Sequence, residues 1–304
     1  MDDAPSADRV VTLSQQAPSQ RAEIAVWTEG VASWNGLRTA AVDVPQAKDP
    51  SAAAAVLRHA VAELATAGVE AVIGPMRGST WQRYRLVTER GERPQFFMEP
   101  WTTDDDRSAF EESGFAPIAH YFSSEVTALS IEDPRLVRVE QRLAKLGVDL
   151  RPIDPARFDH DLDAVYRLSV AAFERNPFYS PIGREAFVAM YRPIRRHLVP
   201  DLVTLAERGD ELVGFVFGLP DLEQAARGEP IDTAVIKSLA RASDRVYSGL
   251  GALLLQRCQQ AAQRLGYQKA IHALMHEDNA SLRVSDRYAR PFRRYALYGR
   301  RTQP

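Results

Sequence analysis

The feature that most constrains this fold is a pattern that occurs twice: an amphipathic helix, a glycine and a short apolar strand. Setting Gly68 against Gly266 aligns residues 56–76 with residues 254–274. Glycine is common where a helix ends in a left-handed residue, so each copy predicts a helix that stops and a strand that follows. The repeat predicts two lobes of related topology; chance similarity between two common units is the alternative.

The elements predicted around the two copies indicate an α/β (α+β) fold. Upstream of the helices, residues 37–44 fall on residues 235–242, and the strand–helix–strand order implies at least one parallel crossover. The predicted strands are 23–27, 37–44, 69–73, 115–123, 148–153, 202–207, 211–219, 231–240, 269–276 and 288–298. The predicted helices are 52–67, 104–112, 134–146, 162–173, 184–191, 249–265 and 279–287.

This order of elements divides the chain into four predicted parts. Residues 1–20 are polar and rich in Ser, Gln, Asp and Pro, which predicts a flexible leader. A first lobe follows at 21–130, a connecting helix at 131–147 and a second lobe at 148–304.

The two copies differ where the helix begins, and this difference carries the functional prediction. The second copy has Ser248-Gly249-Leu250-Gly251, whereas the first has Pro50-Ser51-Ala52-Ala53. Amides at a helix N-terminus are unpaired and lie at the positive end of the helix dipole, and glycines let a diphosphate approach them. Because Ser51 and Ala53 add Cβ atoms, we expect a phosphate site in the second lobe only.

Charge and cysteine content restrict the partners and the chemistry. The chain has 38 basic and 40 acidic residues, so a nucleic-acid partner is not expected. Cys258 is the single cysteine, which excludes an internal disulfide, and its position on an apolar helical stripe predicts a buried thiol. No apolar stretch approaches the length of a membrane span and no signal-peptide pattern is seen, so we expect a soluble, cytoplasmic protein with no membrane partner.

The glycine pair lies in a context that resembles the GNAT superfamily of N-acetyltransferases. It follows a strand ending Lys237-Ser238-Leu239-Ala240 and opens a long helix, after which come Gly266, a strand and Asn279. The acyl-CoA loop of that superfamily is usually written [Gln/Arg]-x-x-Gly-x-[Gly/Ala], and the matching residues here are 246–251. The first position departs from the pattern, because Val246 stands where Gln or Arg is usual.

The resemblance implies a GNAT acetyltransferase domain at 148–304 and a degenerate GNAT-like lobe at 21–130, each a mixed, mostly antiparallel sheet flanked by helices. It also implies acetyl-CoA as cosubstrate and no metal. Residues 239–241 would offer backbone hydrogen bonds to the pantetheine arm, residues 246–251 would cradle the pyrophosphate, and Asn279 would reach the cofactor or a bound water. The cofactor-binding residues predicted in this way are Leu239, Ala240, Arg241, Arg245, Val246, Tyr247, Ser248, Gly249, Leu250, Gly251, Asn279 and Ser281.

The chemistry that the resemblance implies is direct transfer in a ternary complex, in which a neutral amine attacks the thioester and a backbone N–H stabilises the oxyanion. A base would help, because an alkylamine is mostly protonated near neutral pH. Glu277 is the carboxylate nearest the expected site, and Tyr288 is the candidate acid for the leaving thiolate, although the usual tyrosine position holds Asp286. His272 and His276 are predicted to share one face of their strand; a solvated Glu277 and packed or surface histidines are the alternatives.

Acceptor recognition in the superfamily involves the loop between the first two helices of the domain, here residues 174–182. The loop at 74–85 is expected to face it from the first lobe, because its aromatic side chains are costly to leave exposed. The predicted substrate-binding residues are Asn176, Phe178, Tyr179, Trp81 and Tyr84. The alternative for Phe178 and Tyr179 is that they only fix a proline-rich turn, and the direction in which Lys237 points is left open.

These residues favour an acyl-CoA-dependent N-acyltransferase that moves an acetyl group from acetyl-CoA to the amine of a small molecule or an aminoacyl group. A non-catalytic acyl-CoA-binding sensor or interaction protein is the alternative. A third reading is a tRNA-dependent aminoacyl transferase, which would need a basic groove that the balanced charge does not favour. The expected partner is a small-molecule amine, and the oligomeric state, a homodimer included, is left open.

Overall fold

Helices pack on a continuous sheet in the described part of the chain, which is residues 7–14, 21–130, 132–278 and 289–303 of a computed structural model. The strands, numbered in chain order, are β1 (Arg9–Ser14), β2 (Arg21–Trp27), β3 (Thr39–Val42), β4 (Ala71–Gly74), β5 (Leu86–Glu89), β6 (Ala116–Val126), β7 (Val148–Pro152), β8 (Val203–Arg208), β9 (Glu211–Pro220), β10 (Thr233–Arg241), β11 (Lys269–His276) and β12 (Arg290–Arg301). The helices are α1 (Pro50–Thr66), α2 (Asp104–Glu112), α3 (Arg135–Lys145), α4 (Phe158–Phe173), α5 (Arg184–Tyr191), α6 (Leu222–Ala226) and α7 (Leu250–Arg264).

The strand order is β1-β2-β3-β4-β12-β6-β11-β10-β9-β8-β7, with β5 paired to β12. Within the described residues two pairs run parallel, β3 with β4 and β10 with β11, and the other pairs are antiparallel. A helix connects the strands of each parallel pair, α1 in the first and α7 in the second, because a parallel pair needs a crossover. The predicted fold, a mixed and mostly antiparallel sheet flanked by helices, is confirmed.

The two predicted helix–glycine–strand units are both present. Gly68 follows α1 with φ +79° and Gly266 follows α7 with φ +92°, so each helix ends at a left-handed glycine. The strand after each glycine, β4 or β11, pairs in parallel with the strand before the helix. The repeat is therefore a structural one and not only a similarity of sequence pattern.

The predicted match upstream of the helices is wrong by four residues. In the parallel pairs Thr39 stands opposite Ala71 and Thr233 stands opposite Lys269, so Thr39 corresponds to Thr233 and not to Lys237. The second unit also forms a short 3-10 turn between strand and helix. Such irregular connections have no periodic pattern, which is why a fixed offset fails there.

The last strand of the chain belongs by its pairing to the first half of the sheet. β12 lies between β4 and β6, and β6 in turn pairs with β11. Tyr295 and Leu297 of β12 pack with Trp27 and Ile73 in one core cluster. The two halves therefore exchange their last strands, and the domain boundaries stated above stay a prediction.

A buried ion pair fixes β12 to the segment that precedes α2. The side chains of Glu99 and Arg293 are fully buried, and Nη1 of Arg293 lies 2.7 Å and 2.9 Å from the two carboxylate oxygens. The Tyr295 hydroxyl and the Phe96 amide also donate to Glu99. Burial raises the pKa of Glu99, and these hydrogen bonds oppose that shift. Removal of either partner would leave a buried charge uncompensated.

The elements that the sequence did not predict are short. Residues 9–14 form β1, antiparallel to β2, so the prediction of a flexible leader is wrong there. Val11 is buried, and Leu13 packs beside it against the core of the first half. A strand of six residues is too short for this apolar–polar alternation to stand out in the sequence. β5 and α6, with four and five residues, are too short for a periodic pattern.

Two further expectations concern α7 and the membrane. Cys258 is buried in α7, as predicted, and its thiol donates to the Leu202 carbonyl oxygen at 3.3 Å. Burial raises the pKa of this thiol to about 12. None of the helices in the described residues is long and apolar enough to cross a membrane. The helix predicted at 279–287 lies outside the described residues.

Candidate active site

The parallel pair of the second half separates at its carboxyl end. β10 and β11 are paired from Thr233 opposite Lys269 to Ile236 opposite His272. Beyond that point β10 continues along β9 and β11 continues along β6, and each strand has an irregularity where the separation begins. We call the space between the two strands beyond Ile236 and His272 the strand gap. The residues that border it, 237–239 and 274–276, are partly exposed.

The first half of the chain holds the strand gap open at Leu274. The Leu274 amide donates to Ser123 Oγ at 3.1 Å, and its carbonyl accepts from the Arg85 guanidinium at 3.1 Å. Arg85, Met98 and Leu274 all have positive φ, at 78°, 62° and 61°. This region is sparsely populated by residues with a side chain, so three such residues around one opening mark a site that the fold maintains at an energetic cost.

The N-terminus of α7 is open. Gly249 is its N-cap residue with φ +85°, and no side chain of the described residues caps the helix. Among the described residues no hydrogen-bond acceptor meets the amides of residues 249–252, the first intrahelical bond being from Leu253 to the Gly249 carbonyl. Unpaired amides at the positive end of a helix dipole are a binding site for an anion.

The upstream half of the predicted cradle is already engaged within the loop. The Val246 amide donates to the Asp244 carboxylate at 3.0 Å, the Tyr247 amide to the Asp244 carbonyl at 3.2 Å and the Ser248 amide to the Arg245 carbonyl at 3.0 Å. The structure therefore offers free amides at residues 249–252, and not along the whole of 246–251. Arg245 itself is exposed.

The two glycines of the motif have different structural requirements. A Cβ at Gly249 would lie 2.9 Å from the Val139 side chain of α3, and the positive φ disfavours any other residue. A Cβ at Gly251 would meet only Leu239, at 3.8 Å, which is an ordinary contact. Gly249 is therefore demanded by the fold, whereas Gly251 leaves free space in front of the amides.

Arg142 of α3 orients the loop before α7. Its guanidinium donates to the carbonyl oxygens of Val246 and Ser248. Because Arg142 holds these two carbonyl oxygens toward α3, the amides of the residues that follow point away from α3. Arg142 was not predicted from the sequence, because a basic residue on an exposed helix face gives no signal of its distant partner.

The other predicted cofactor residues are placed as follows. Leu239, Ala240 and Arg241 lie on β10 beyond the separation, paired on one side with β9, so their opposite edge borders the strand gap. Leu239 also packs against the core under α7. Asn279, Ser281 and Tyr288 lie outside the described residues.

The polar residues at the end of β11 do not form one cluster. His272 is buried and bonded to Gln259 of α7 at 3.0 Å, and burial lowers its pKa to about 4. His276 packs its ring against Tyr121, with centroids 5.0 Å apart. The irregularity between them shifts the side-chain alternation, so the prediction that they share one face is wrong. Glu277 is exposed in the turn after β11.

No group of three His, Cys, Asp or Glu side chains in the described ranges is arranged to hold a metal ion.

The two loops predicted to bind the acceptor do meet. Trp81 packs between Phe173, Tyr179 and Phe187 with centroids 5.7 to 6.0 Å apart, and its indole N–H donates to the Ser180 carbonyl at 2.9 Å. Asn176 lies in an exposed turn whose backbone bonds are local. Phe178 joins a different core cluster, which also contains Tyr84. The role of these residues in binding stays a prediction.

Tyr84 does not belong to the aromatic group around Trp81. It stacks on Arg85, which lies beside the strand gap. The Arg85 guanidinium lies between the rings of Tyr84 and Tyr121, 3.9 Å and 3.8 Å from their centroids. Arg85 is buried, and its Nε has no hydrogen-bond partner among the residues that the structure describes. A cation is thus fixed beside the gap by ring stacking.

Lys237 is the functional candidate to which the sequence analysis assigned no role. It is the extra residue in the irregularity of β10, and its Nζ donates to the Met98 carbonyl at 3.0 Å. Burial and the nearby charge of Arg85 lower its pKa to about 7, and Glu99 opposes this shift. The available signal was a lysine inside an apolar strand, in a chain with only four lysines.

Part of the second half of the chain matches a known protein family. Residues 162–287 match the profile of the acetyltransferase (GNAT) family. A search of curated protein sequences finds no significant match. The matched range contains most of α4, all of α5, α6 and α7, and β8 to β11. Both strands that border the strand gap and the open helix N-terminus therefore lie within it.

Solved structures share the fold at low sequence identity. A GCN5-related N-acetyltransferase from Sphaerobacter thermophilus is 16% identical, with a TM-score of 0.53 over 93% of this chain and 77% of that one. A tandem GNAT protein from the clavulanic acid biosynthesis pathway is 13% identical, with a TM-score of 0.50 over 98% and 85%. Eis1 from Mycobacterium abscessus is 12% identical, with a TM-score of 0.53 over 99% and 66%. Residues 162–287 therefore form a domain of the GNAT acetyltransferase family, within a chain that adopts the GNAT fold.

Proposed function

We propose that the chain is an acyl-CoA-dependent N-acyltransferase that transfers an acetyl group to the amine of a small molecule or an aminoacyl group. The family assignment supports the acetyltransferase class. The observation that carries the proposal is that the uncapped N-terminus of α7 opens next to the strand gap. Acyl-CoA combines a diphosphate with a long arm that ends in a thioester. The helix N-terminus would suit the diphosphate, and the strand gap would suit the arm.

The residues present fit such a cosubstrate. The amides of residues 249–252 would hold the diphosphate, because nothing in the described chain satisfies them. The free edge of β10 at 238–241 would bond the amides of the arm as a neighbouring strand does. Arg142 keeps the loop carbonyls away from the anion. Acyl-CoA itself supplies the activated acyl group.

The acceptor would approach from the face of β10 that α4 and α5 cover. A small cavity of about 30 Å³ lies there, bordered by aromatic side chains that include Phe173, Phe187 and Tyr191, with Ser238 of β10 among its lining residues. Trp81 closes the same region from the first half of the chain. A cavity of this volume holds about one water molecule, so its apolar lining would favour no more than a small apolar group of the acceptor.

Substitution of Gly251 tests the diphosphate site without disturbing the fold. A leucine side chain at this position has room at its Cβ but occupies the space in front of the free amides. We expect Gly251→Leu to bind CoA at least about tenfold more weakly, a loss of about 1.4 kcal/mol, by isothermal calorimetry. The melting temperature should not fall, because replacing glycine in a helix favours the helix.

The matched control is Ser51→Leu, at the same position in the first turn of α1. Ser51 is exposed, and the substitution should leave CoA affinity unchanged. Thiol release from acetyl-CoA is then measured with a panel of alkylamines, aralkylamines and aminoacyl esters. CoA binding without thiol release would favour the non-catalytic acyl-CoA-binding protein. Absence of CoA binding, or equal affinity of Gly251→Leu and the wild type, would refute the proposal.

A further inference from the structure

Lys237 occupies the point at which β10 and β11 separate. Ile236 is the last residue of β10 that pairs with β11, and the irregularity of β10 lies between Ile236 and Ser238. Ile236 and Leu239 pack into the core under α7, whereas Val235 packs against Phe96 on the opposite face. The Lys237 side chain reaches Met98, two residues after Phe96, and so lies on the face away from α7.

Among the described residues the amine of Lys237 has no ion-pair partner. Its hydrogen-bond partner in the structure is the Met98 carbonyl, and none of the carboxylates in the described residues is within ion-pair distance. Glu99 is the carboxylate that acts on the Lys237 pKa, but Arg293 and Tyr295 already donate to it. Arg85, which donates to the Leu274 carbonyl on β11, is the cation that acts against the charged form of Lys237. A partly buried amine in these surroundings favours its neutral form, with a pKa lowered to about 7.

We propose that Lys237 is the proton acceptor for the acceptor amine. In this step the neutral Lys237 nitrogen takes one proton from the bound ammonium, whose nitrogen then forms the bond to the thioester carbonyl carbon. The carbon–sulfur bond breaks, and the thiolate leaves with the second proton of the attacking nitrogen. Lys237 returns its own proton to solvent, so each turnover yields amide, CoA thiol and one released proton.

This assignment rests on the proposed function, and it differs from the prediction that placed Glu277 in this role. Glu277 is exposed in a turn beyond the end of β11, with its backbone amide bonded to the His120 carbonyl. Lys237 lies at the apex of the opening, where the thioester end of an arm lying along β10 would arrive. A base that is half neutral near pH 7 is matched to proton transfer at that pH.

The variants Lys237→Met and Lys237→Arg test the assignment. Methionine has no basic nitrogen and arginine is always charged, so both should lower kcat by about 10²- to 10⁴-fold with the best amine of the panel. The KM for acetyl-CoA and the calorimetric affinity for CoA should stay within about twofold, because the free amides of α7 are not altered. The matched control is Lys269→Met, at the opposite end of the parallel pair, which should retain wild-type turnover.

The pH profile and a direct titration give readouts that a structural role would not move. The wild-type kcat should rise with an apparent pKa near 7, and this limb should be absent from the residual activity of Lys237→Met. In protein labelled with ¹³C-lysine, Cε signals from four lysines are simple to assign through single substitutions. The signal lost in Lys237→Met should titrate near pH 7, about three units below the ordinary lysine value.

The outcomes separate the two proposals. If the wild type binds CoA and releases thiol, but Lys237→Met keeps kcat within about threefold and an unchanged pH profile, the Lys237 assignment is wrong and the proposed function stands. A Cε titration near the ordinary lysine value of about 10.4 would also overturn it. If the wild type releases no thiol with any amine, both proposals fall.

Discussion

The two helices that connect the strands of the parallel pairs, α1 and α7, begin in opposite ways. Asp49 caps α1 by accepting the Ala52 amide at 2.8 Å, and Pro50 at the first helical position has no N–H to offer. α7 begins at Gly249 with no side-chain cap. The first helix thus carries its own anion, while the second leaves its positive end free. The Cβ atoms of Ser51 and Ala53 were predicted to block the first site, whereas in the structure the cap occupies an amide of this helix and the proline offers none.

The strand pairs beside these helices also differ, one being closed at its end and the other open. In the first unit the Met76 amide donates to the Val42 carbonyl at 2.7 Å, so the chain stays joined beyond the last paired residues of β3 and β4. Met76 is fully buried and fills that place. In the second unit the strands part and the borders of the gap stay partly exposed. In the first unit the helix N-terminus is capped and the strands stay joined, whereas in the second unit the helix N-terminus is open and the strands part. Both open features are ones that an acyl-CoA site needs.

A charged residue follows the last pair in each unit. By strand register Asp43 corresponds to Lys237. Asp43 accepts from Arg77 Nε at 2.7 Å in a partly buried ion pair, whereas Lys237 has a carbonyl partner and faces a second cation. The ion pair with Arg77 gives Asp43 a structural role. Lys237 has no ion-pair partner in the described residues, which is the difference on which its proposed role in proton transfer rests.

The largest expected effect in this comparison is on the pH dependence of stability. The pKa of Lys237 is about 7 in the folded chain and about 10.5 when unfolded, so the unfolded chain binds more protons between these values and stability rises with pH. From pH 7 to pH 9 the wild type should gain about 2 kcal/mol more unfolding free energy than Lys237→Met, measured by urea unfolding. Parallel curves for the two proteins would show that Lys237 is not held neutral.

A smaller effect is expected from Arg142→Leu, which releases the carbonyls of Val246 and Ser248. CoA affinity should fall about tenfold, or about 1.4 kcal/mol, because the loop before the free amides loses its orientation. Arg138→Leu, on an exposed part of the same helix, is the control and should bind as the wild type does. Equal affinities for the two variants would mean that the loop is ordered without Arg142.

The smallest expected effect comes from opening the first helix. Asp49→Ala should lower the unfolding free energy by about 1 kcal/mol through loss of the N-cap. Calorimetry should still find one CoA per chain, even for Asp49→Gly combined with Pro50→Leu, because the Met76–Val42 hydrogen bond keeps the first strand pair closed. A second bound CoA would show that an uncapped helix is sufficient by itself.

Much of the fold was open to prediction, because its long elements follow periodic rules. The helices at 104–112 and 184–191 and the strand at 269–276 were predicted with the bounds that the structure has. The glycine ends of α1 and α7 followed from the need for a left-handed residue. Short β1 and β5 were missed, because a few residues give too little pattern.

The site was predictable only in part. The Gly249 motif marked the open helix, since the need for glycine at a left-handed N-cap is local. The separation of β10 from β11 depends on β6 and β9, which compete for the two strands from distant positions in the chain. Arg142, Arg85 and Lys237 escaped assignment, because their partners are 104, 189 and 139 residues away.

The sequence by itself determined which segments are helix or strand and which helix start lacks a cap, because backbone preference and side-chain period act over a few neighbouring residues. Only the tertiary structure decided that β12 crosses into the first half and that the strands part in one unit and stay joined in the other. It also decided that Lys237 meets a carbonyl and no carboxylate among the residues described. These outcomes arise from contacts between distant segments, where burial and charge set the pKa of a side chain that the local sequence leaves undefined.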